Sequence, residues 1–173
     1  MYTNKYDYQC VFGVKIILKN QDGLILLIQE PETNAWMPLH WGLPGGKPTE
    51  TESLMETIQR KVKTEIGQKV LLKGLFKIEE LLIEGRTVLI FIVIAESTND
   101  LVEGEAKTYK WVSKDDLIKM DQKDFTEFFN KDLLINYFDN PIKAFPLELI
   151  QTNEYYKMNE DETYASWYKS GKK

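Results

Sequence analysis

One cysteine, one histidine and no long apolar run bound this 173-residue chain before any motif is considered. With Cys10 alone, no intrachain disulfide forms, and a thiolate metal site lacks ligands. With His40 alone, the usual zinc sets and histidine-based triads are missing, unless one His acts unaided. The longest apolar run, Val88 to Ala95, is far too short to span a bilayer, so no membrane association is expected. The opening residues, MYTNKYDYQC, lack the basic-then-apolar order of a secretion signal, and a cytoplasmic location is the expectation. An excess of Lys and Arg is also missing. The net charge of −5 argues against a broad nucleic-acid surface, although a few local cations would suffice for a small phosphorylated ligand.

What is present is ordinary for a globular domain: 43% hydrophobic and 28% charged residues, enough for one full core. CVFGVKIIL (10–18) reads as a strand, Asn20-Gln21-Asp22-Gly23 as a turn, and Leu24 to Gln29 as a second strand. Residues 30–40 form a loop with two prolines and Trp36, followed by a short strand from Trp41 to Leu43. A helix starts at Ser53, where Ser53 and Glu56 make a capping box. Its apolar stripe is Leu54, Met55, Ile58, Val62 and Ile66, and Gly67 ends it where a left-handed residue is wanted. Val70 to Ile83 reads as one or two strands with a turn at Glu84-Gly85, and TVLIFIVIA (87–95) as a strand buried on both faces.

After an acidic loop, Lys107 to Val112 forms a strand and Ser113 with Asp116 caps a short helix. Asp124 and Glu127 are expected to cap a longer helix with Phe125, Phe128, Phe129 and Leu133 available for packing. Beyond Phe138 the character shifts. Residues 1–138 are therefore read as one domain and 139–173 as a C-terminal extension. Tyr164, Trp167 and Tyr168 share one helical face there, suited to packing on the domain or on the mate in a homodimer.

The chain is organised around WGLPGGKPTETESLMETIQRKVKTEIGQKV (41–70). Within it Gly46, Glu52, Arg60, Glu65 and Gly67 stand at intervals of six, eight, five and two. With the WGLPGGK lead, this pattern resembles the Nudix box, Gly-x5-Glu-x7-Arg-Glu-U-x-Glu-Glu-x-Gly-U, where U is a bulky aliphatic. The resemblance covers roughly residues 10–138. It implies an α/β fold, a Nudix-type α/β/α sandwich with a mixed β-sheet, and a small nucleotide ligand: a nucleoside diphosphate linked to another moiety. It further implies hydrolysis of a phosphoanhydride bond with Mg2+ or Mn2+ held by box glutamates, metals that neutralise charge and position water.

Two acidic positions of the box are filled otherwise. Lys61 and Thr64 stand where the family has Glu, so one carboxylate of three remains. At about 100° per residue, positions 61, 64 and 65 fall within an arc of roughly 100°. A charge near −3 becomes about 0. At ~4 Å and an effective dielectric of ~20, each unit-charge interaction is worth about 4 kcal/mol, so divalent affinity falls severely.

Three readings follow. In the first, an active hydrolase keeps Glu65 as metal ligand, uses Glu52 and Arg60 in catalysis, and recruits Glu79, Glu80, Glu103 or Glu105 from outside the box. In the second, a binding module needs no metal: Lys61, anchored by Glu65, becomes the cation for phosphate. Gly45 and Gly46 shape that site, and Trp36 is the candidate for stacking a base. In the third, the scaffold presents a different surface to a protein partner. Each residue also has a plainer role. Lys61 with Glu65 reads as a surface pair of ~0.2–0.5 kcal/mol, Arg60 as a solvated helix residue, and Glu52 as a charge favouring the helix N-terminus.

Overall fold

The computed structural model describes residues 10–35, 37–49, 52–83, 86–97, 102–106, 108–126, 131–140 and 144–150. Trp36, the Glu84-Gly85 turn, Glu127, Phe128, Phe129 and the Tyr164, Trp167 and Tyr168 face lie outside them.

Among the described residues seven strands form one mixed sheet: β1 (Cys10–Lys19), β2 (Ile25–Gln29), β3 (Trp41–Gly42), β4 (Gly45–Gly46), β5 (Val70–Ile83), β6 (Arg86–Ser97) and β7 (Tyr109–Val112). The main path runs β3-β2-β1-β6-β5, with β4 on β1 and β7 on β2. At its centre β1 and β6 are parallel over ten residue pairs, from Cys10 opposite Thr87 to Lys19 opposite Glu96. The other pairings are antiparallel.

Helices cover both faces, giving the expected α/β/α sandwich. α1 (Leu54–Lys61) packs on one face, while α2 (Lys114–Lys119) and α3 (Lys131–Asp139) pack on the other. The period-two geometry of the strands sends alternate side chains to the two layers. Ile16, Leu18, Val93 and Ala95 join Leu54, Ile58 and Ile66 beneath α1. Ile17, Ile92 and Ile94 join Leu117, Leu134 and Tyr137 on the opposite face. β6 is buried on both faces only from Ile92 to Ala95; Val88 to Phe91 are partly exposed.

Ser53 caps α1 with the expected box: its hydroxyl accepts from the Glu56 N–H while Glu56 accepts from the Ser53 N–H. Ser113 and Asp116 cap α2 in the same way. Two elements depart from expectation. The box helix does not stay α-helical to Gly67; Val62–Ile66 form a π-helical turn, closed by a bond from the Gly67 N–H to the Val62 carbonyl at 2.9 Å. Asp124 also caps no long helix. It ends a 3-10 turn (Gln122–Asp124), and the described part of α3 is Lys131–Asp139. The reason is tertiary: Phe125 is extended and buried, its neighbour Thr126 bonded to the Trp41 carbonyl, so the chain is held to the sheet where a helix would lift it off.

Candidate functional site

β1 and β2 pair only where they meet at the turn, Lys19 opposite Ile25, and then diverge. The Leu43 to Gly46 segment fills the fork: the Ile16 N–H donates to the Pro44 carbonyl, and Gly45 and Gly46 pair with Lys15 and Val14. This wedge delivers the Gly-Gly backbone to the open side of α1. Glu65, at the π-helical turn, completes the junction. Its Oε2 accepts the Gly45 N–H at 2.8 Å, and its Oε1 accepts from Lys61 Nζ at 2.7 Å.

Lys61 lies against Gly46. A Cβ at position 46 would stand 2.8 Å from Lys61 Nζ and 2.6 Å from its Cε, so glycine there leaves room for the ammonium. The Lys61 and Glu65 side chains are 20% and 17% exposed, which places the pair well below a free surface bridge. Lys15 enters from β1, its Nζ donating to the Leu43 carbonyl at 3.2 Å. Burial lowers its pKa most strongly; the nearby Glu65 and Glu30 carboxylates act the other way, and Lys61 adds repulsion. Two lysines thus face one carboxylate. Sequence reasoning passed over Lys15, whose signal was a lone cation inside an otherwise apolar strand.

Glu52 and Arg60 form a separate clamp beside this junction. Arg60 donates from Nε to Glu52 Oε1 at 2.5 Å and from Nη2 to Oε2 at 2.8 Å, and Nη2 also reaches the Lys47 carbonyl at 2.9 Å. The Thr49 N–H adds a 2.9 Å bond to Glu52 Oε2. The Arg60 hydrogen bond, then the Thr49 N–H, hold the Glu52 carboxyl down at about 2. The same pairing raises the Arg60 pKa. The clamp ties the 47–49 loop to α1.

On the β1–β6 side of Gly46 a cavity of about 440 Å³ opens. Phe12, Val88 and Ile90 supply apolar wall, while Lys15, Lys47 and Arg86 supply cations. This is the combination a small site uses: apolar surface with a few convergent polar groups.

The residues do not fit a bound pair of Mg2+ ions. Such ions need hard oxygen ligands, yet both Glu65 oxygens are engaged by protein N–H donors, one of them an ammonium. No three acidic, histidine or cysteine side chains come together as a metal group among the described residues. The carboxylates considered from outside the box do not repair this. Glu79 pairs with Lys77 on β5, and Glu80 is exposed on the same strand. Glu103 and Glu105 are exposed on a loop whose N–H groups bond the Ile66 and Thr64 carbonyls. His40 rests its Nδ1 on the Pro38 carbonyl at 2.7 Å, and Trp41 lies under Lys110 Nζ, 3.9 Å from the ring centroid.

A mixed sheet between helices, with a Gly-Gly wedge set against a helix carboxylate, defines an α/β protein of the Nudix type. Residues 11–133 match the NUDIX domain model, and the chain belongs to the Nudix hydrolase family. It is 31% identical over 116 residues to the 8-oxo-dGTP diphosphatase of Buchnera aphidicola subsp. Schizaphis graminum, a match covering 67% of this chain and 81% of that protein. The fold resembles a NUDIX hydrolase from Nitrosomonas europaea, with a TM-score of 0.68 and 21% identity over 86% of this chain and all of that one. It also resembles the MutT protein of Methanosarcina mazei Go1, with a TM-score of 0.62 and 24% identity over 77% and 95% of the two chains. No helix among the described residues is long and apolar enough to cross a membrane.

Proposed function

We propose that this Nudix-family chain binds a nucleoside diphosphate linked to another moiety by protein cations alone, and does not cleave it. The observation that carries this reading is the Lys61 ammonium on Glu65, at 2.7 Å, beside the Gly46 backbone. An ammonium has three donors and no acceptor. With one spent on Glu65, two remain for phosphate oxygens, and Glu65 keeps the side chain in place. Lys15 and Lys47, which line the cavity beside Gly46, would add cations for the diphosphate, and the Phe12, Val88 and Ile90 wall suits the remainder of the ligand. Gly45 contributes by fixing Glu65 through its N–H. Arg60 and Glu52 act as positioning residues that hold the Lys47 loop in place.

A second reading, hydrolysis of a phosphoanhydride bond with Mg2+ or Mn2+, is favoured by the 31% identity to a diphosphatase. It requires carboxylates that the described residues do not bring to Glu65.

Calorimetry of a nucleoside-diphosphate panel in EDTA, beside phosphate release with Mg2+ or Mn2+, separates the two. Binding should persist in EDTA and weaken roughly tenfold or more on Lys61→Glu, since a charge-assisted hydrogen bond contributes about 1.5–3 kcal/mol. Lys61→Glu combined with Thr64→Glu should raise Mn2+ affinity. Metal-dependent turnover that disappears in Glu65→Gln overturns the binding reading in favour of hydrolysis.

A further inference from the structure

A second concavity lies away from the cation site, between the outer side of α1 and the start of β5. It is open to solvent and has a volume of about 520 Å³. Ile58, Val62, Val70 and Leu72 give it an apolar floor, and Lys63 and Lys69 stand among its lining residues. All four floor residues belong to the hydrophobic cluster beneath α1.

The C-terminal part of the chain crosses to the same layer of the sheet. Ala144 packs against the cluster on the α2 and α3 face. Phe145 then clamps the free edge of β5, exchanging two backbone hydrogen bonds of 2.8 Å with Leu75. Leu147 and Ile150 pack against the opposite cluster, the one that floors the groove. Residues 144–150 therefore carry the chain over the sheet edge from one layer to the other. The crossing is at Leu75, three positions along β5 from Leu72.

We propose that this groove is the docking site of the chain's own residues 151–173. Tyr164, Trp167 and Tyr168 would bury one helical face on the Val62, Val70 and Leu72 floor. The acidic run Glu160-Asp161-Glu162 is complementary in charge to Lys63 and Lys69 at the groove. Length is no obstacle: the thirteen residues between Ile150 and Tyr164 reach about 3.3–3.6 Å each when extended. Aromatic side chains on an apolar floor with a charged rim are the elements of a stable packed contact. The inference is independent of the nucleotide reading and of its test.

The test uses the full chain with Cys10→Ser and a nitroxide attached through Ser166→Cys, with methyl-labelled Val, Leu and Ile followed by NMR. Methyl signals of Val62, Val70 and Leu72 should lose intensity severalfold relative to the reduced label, while Leu117 and Leu134 on the far face keep theirs. Adding Trp167→Ala should restore the groove signals with core shifts unchanged, which separates lost docking from lost folding. Unaffected groove methyls overturn the proposal, as does broadening that survives Trp167→Ala. Broadening seen only when spin-labelled and methyl-labelled chains are mixed assigns the groove to a second copy and equally overturns it.

Discussion

Glu52 shows how the fold engages one carboxylate of the box on all sides. Its box position suggested catalysis or a helix-dipole contact, yet its oxygens go to Arg60, the Thr49 N–H and Thr57 Oγ1. Its pKa falls from 4.5 to about 2, so the charged form is favoured in the folded state. The stabilisation is complete above pH 4.5 and is lost as the pH falls towards 2. Urea midpoints of the wild type should decline through that window, while Glu52→Gln should start lower at neutral pH and show a flatter decline. Lys61 and Glu65 were readable as an i,i+4 pair, and they do meet. Lys15 and Arg86 were not, because only the β1–β6 pairing places those distant cations along one cavity.

At the scale of elements, caps were the most readable signals. Ser53 with Glu56 and Ser113 with Asp116 act within one turn of chain, where sequence spacing fixes geometry. The π-helical turn was not readable, since its apolar residues satisfy an α-helical stripe equally well. Its end is set by Gly67, with φ of 76°, and by the 102–106 loop that bonds the last carbonyls of the turn. A Cβ at Gly67 would stand 2.6 Å from the Glu103 carbonyl carbon. Gly67→Ala should therefore cost more than the about 1–2 kcal/mol of a left-handed backbone alone. Urea denaturation measures this. The same substitution should weaken nucleotide binding under the proposed function, because Glu65 lies in the displaced turn. The Asp124 expectation failed for a matching reason: a capping pattern is local, but Phe125 and Thr126 are bound to Trp41 from another part of the chain.

Across the whole molecule, the sheet divides the core into two layers, and neighbouring residues of β1 serve opposite ones. Ile16 and Ile17 are both fully buried, one beneath α1 and the other beneath α2 and α3. Ile16→Ala and Ile17→Ala should each destabilise by about 2–5 kcal/mol in urea unfolding, since each leaves a cavity in a packed layer. The sequence by itself determined the elements: strands, a capped amphipathic helix and a Gly-Gly turn are legible over short range, and the resemblance of the box implied the sandwich. It also determined that two box carboxylates are absent. Tertiary structure alone decided what surrounds the residues that replace them. The ammonium of Lys61 meets Glu65 beside Gly46 because the wedge enters the fork between β1 and β2, and Lys15 joins because β1 passes beneath that wedge. Periodicity fixes which face a side chain takes, but the charge balance of a site depends on which distant segments the fold packs around it.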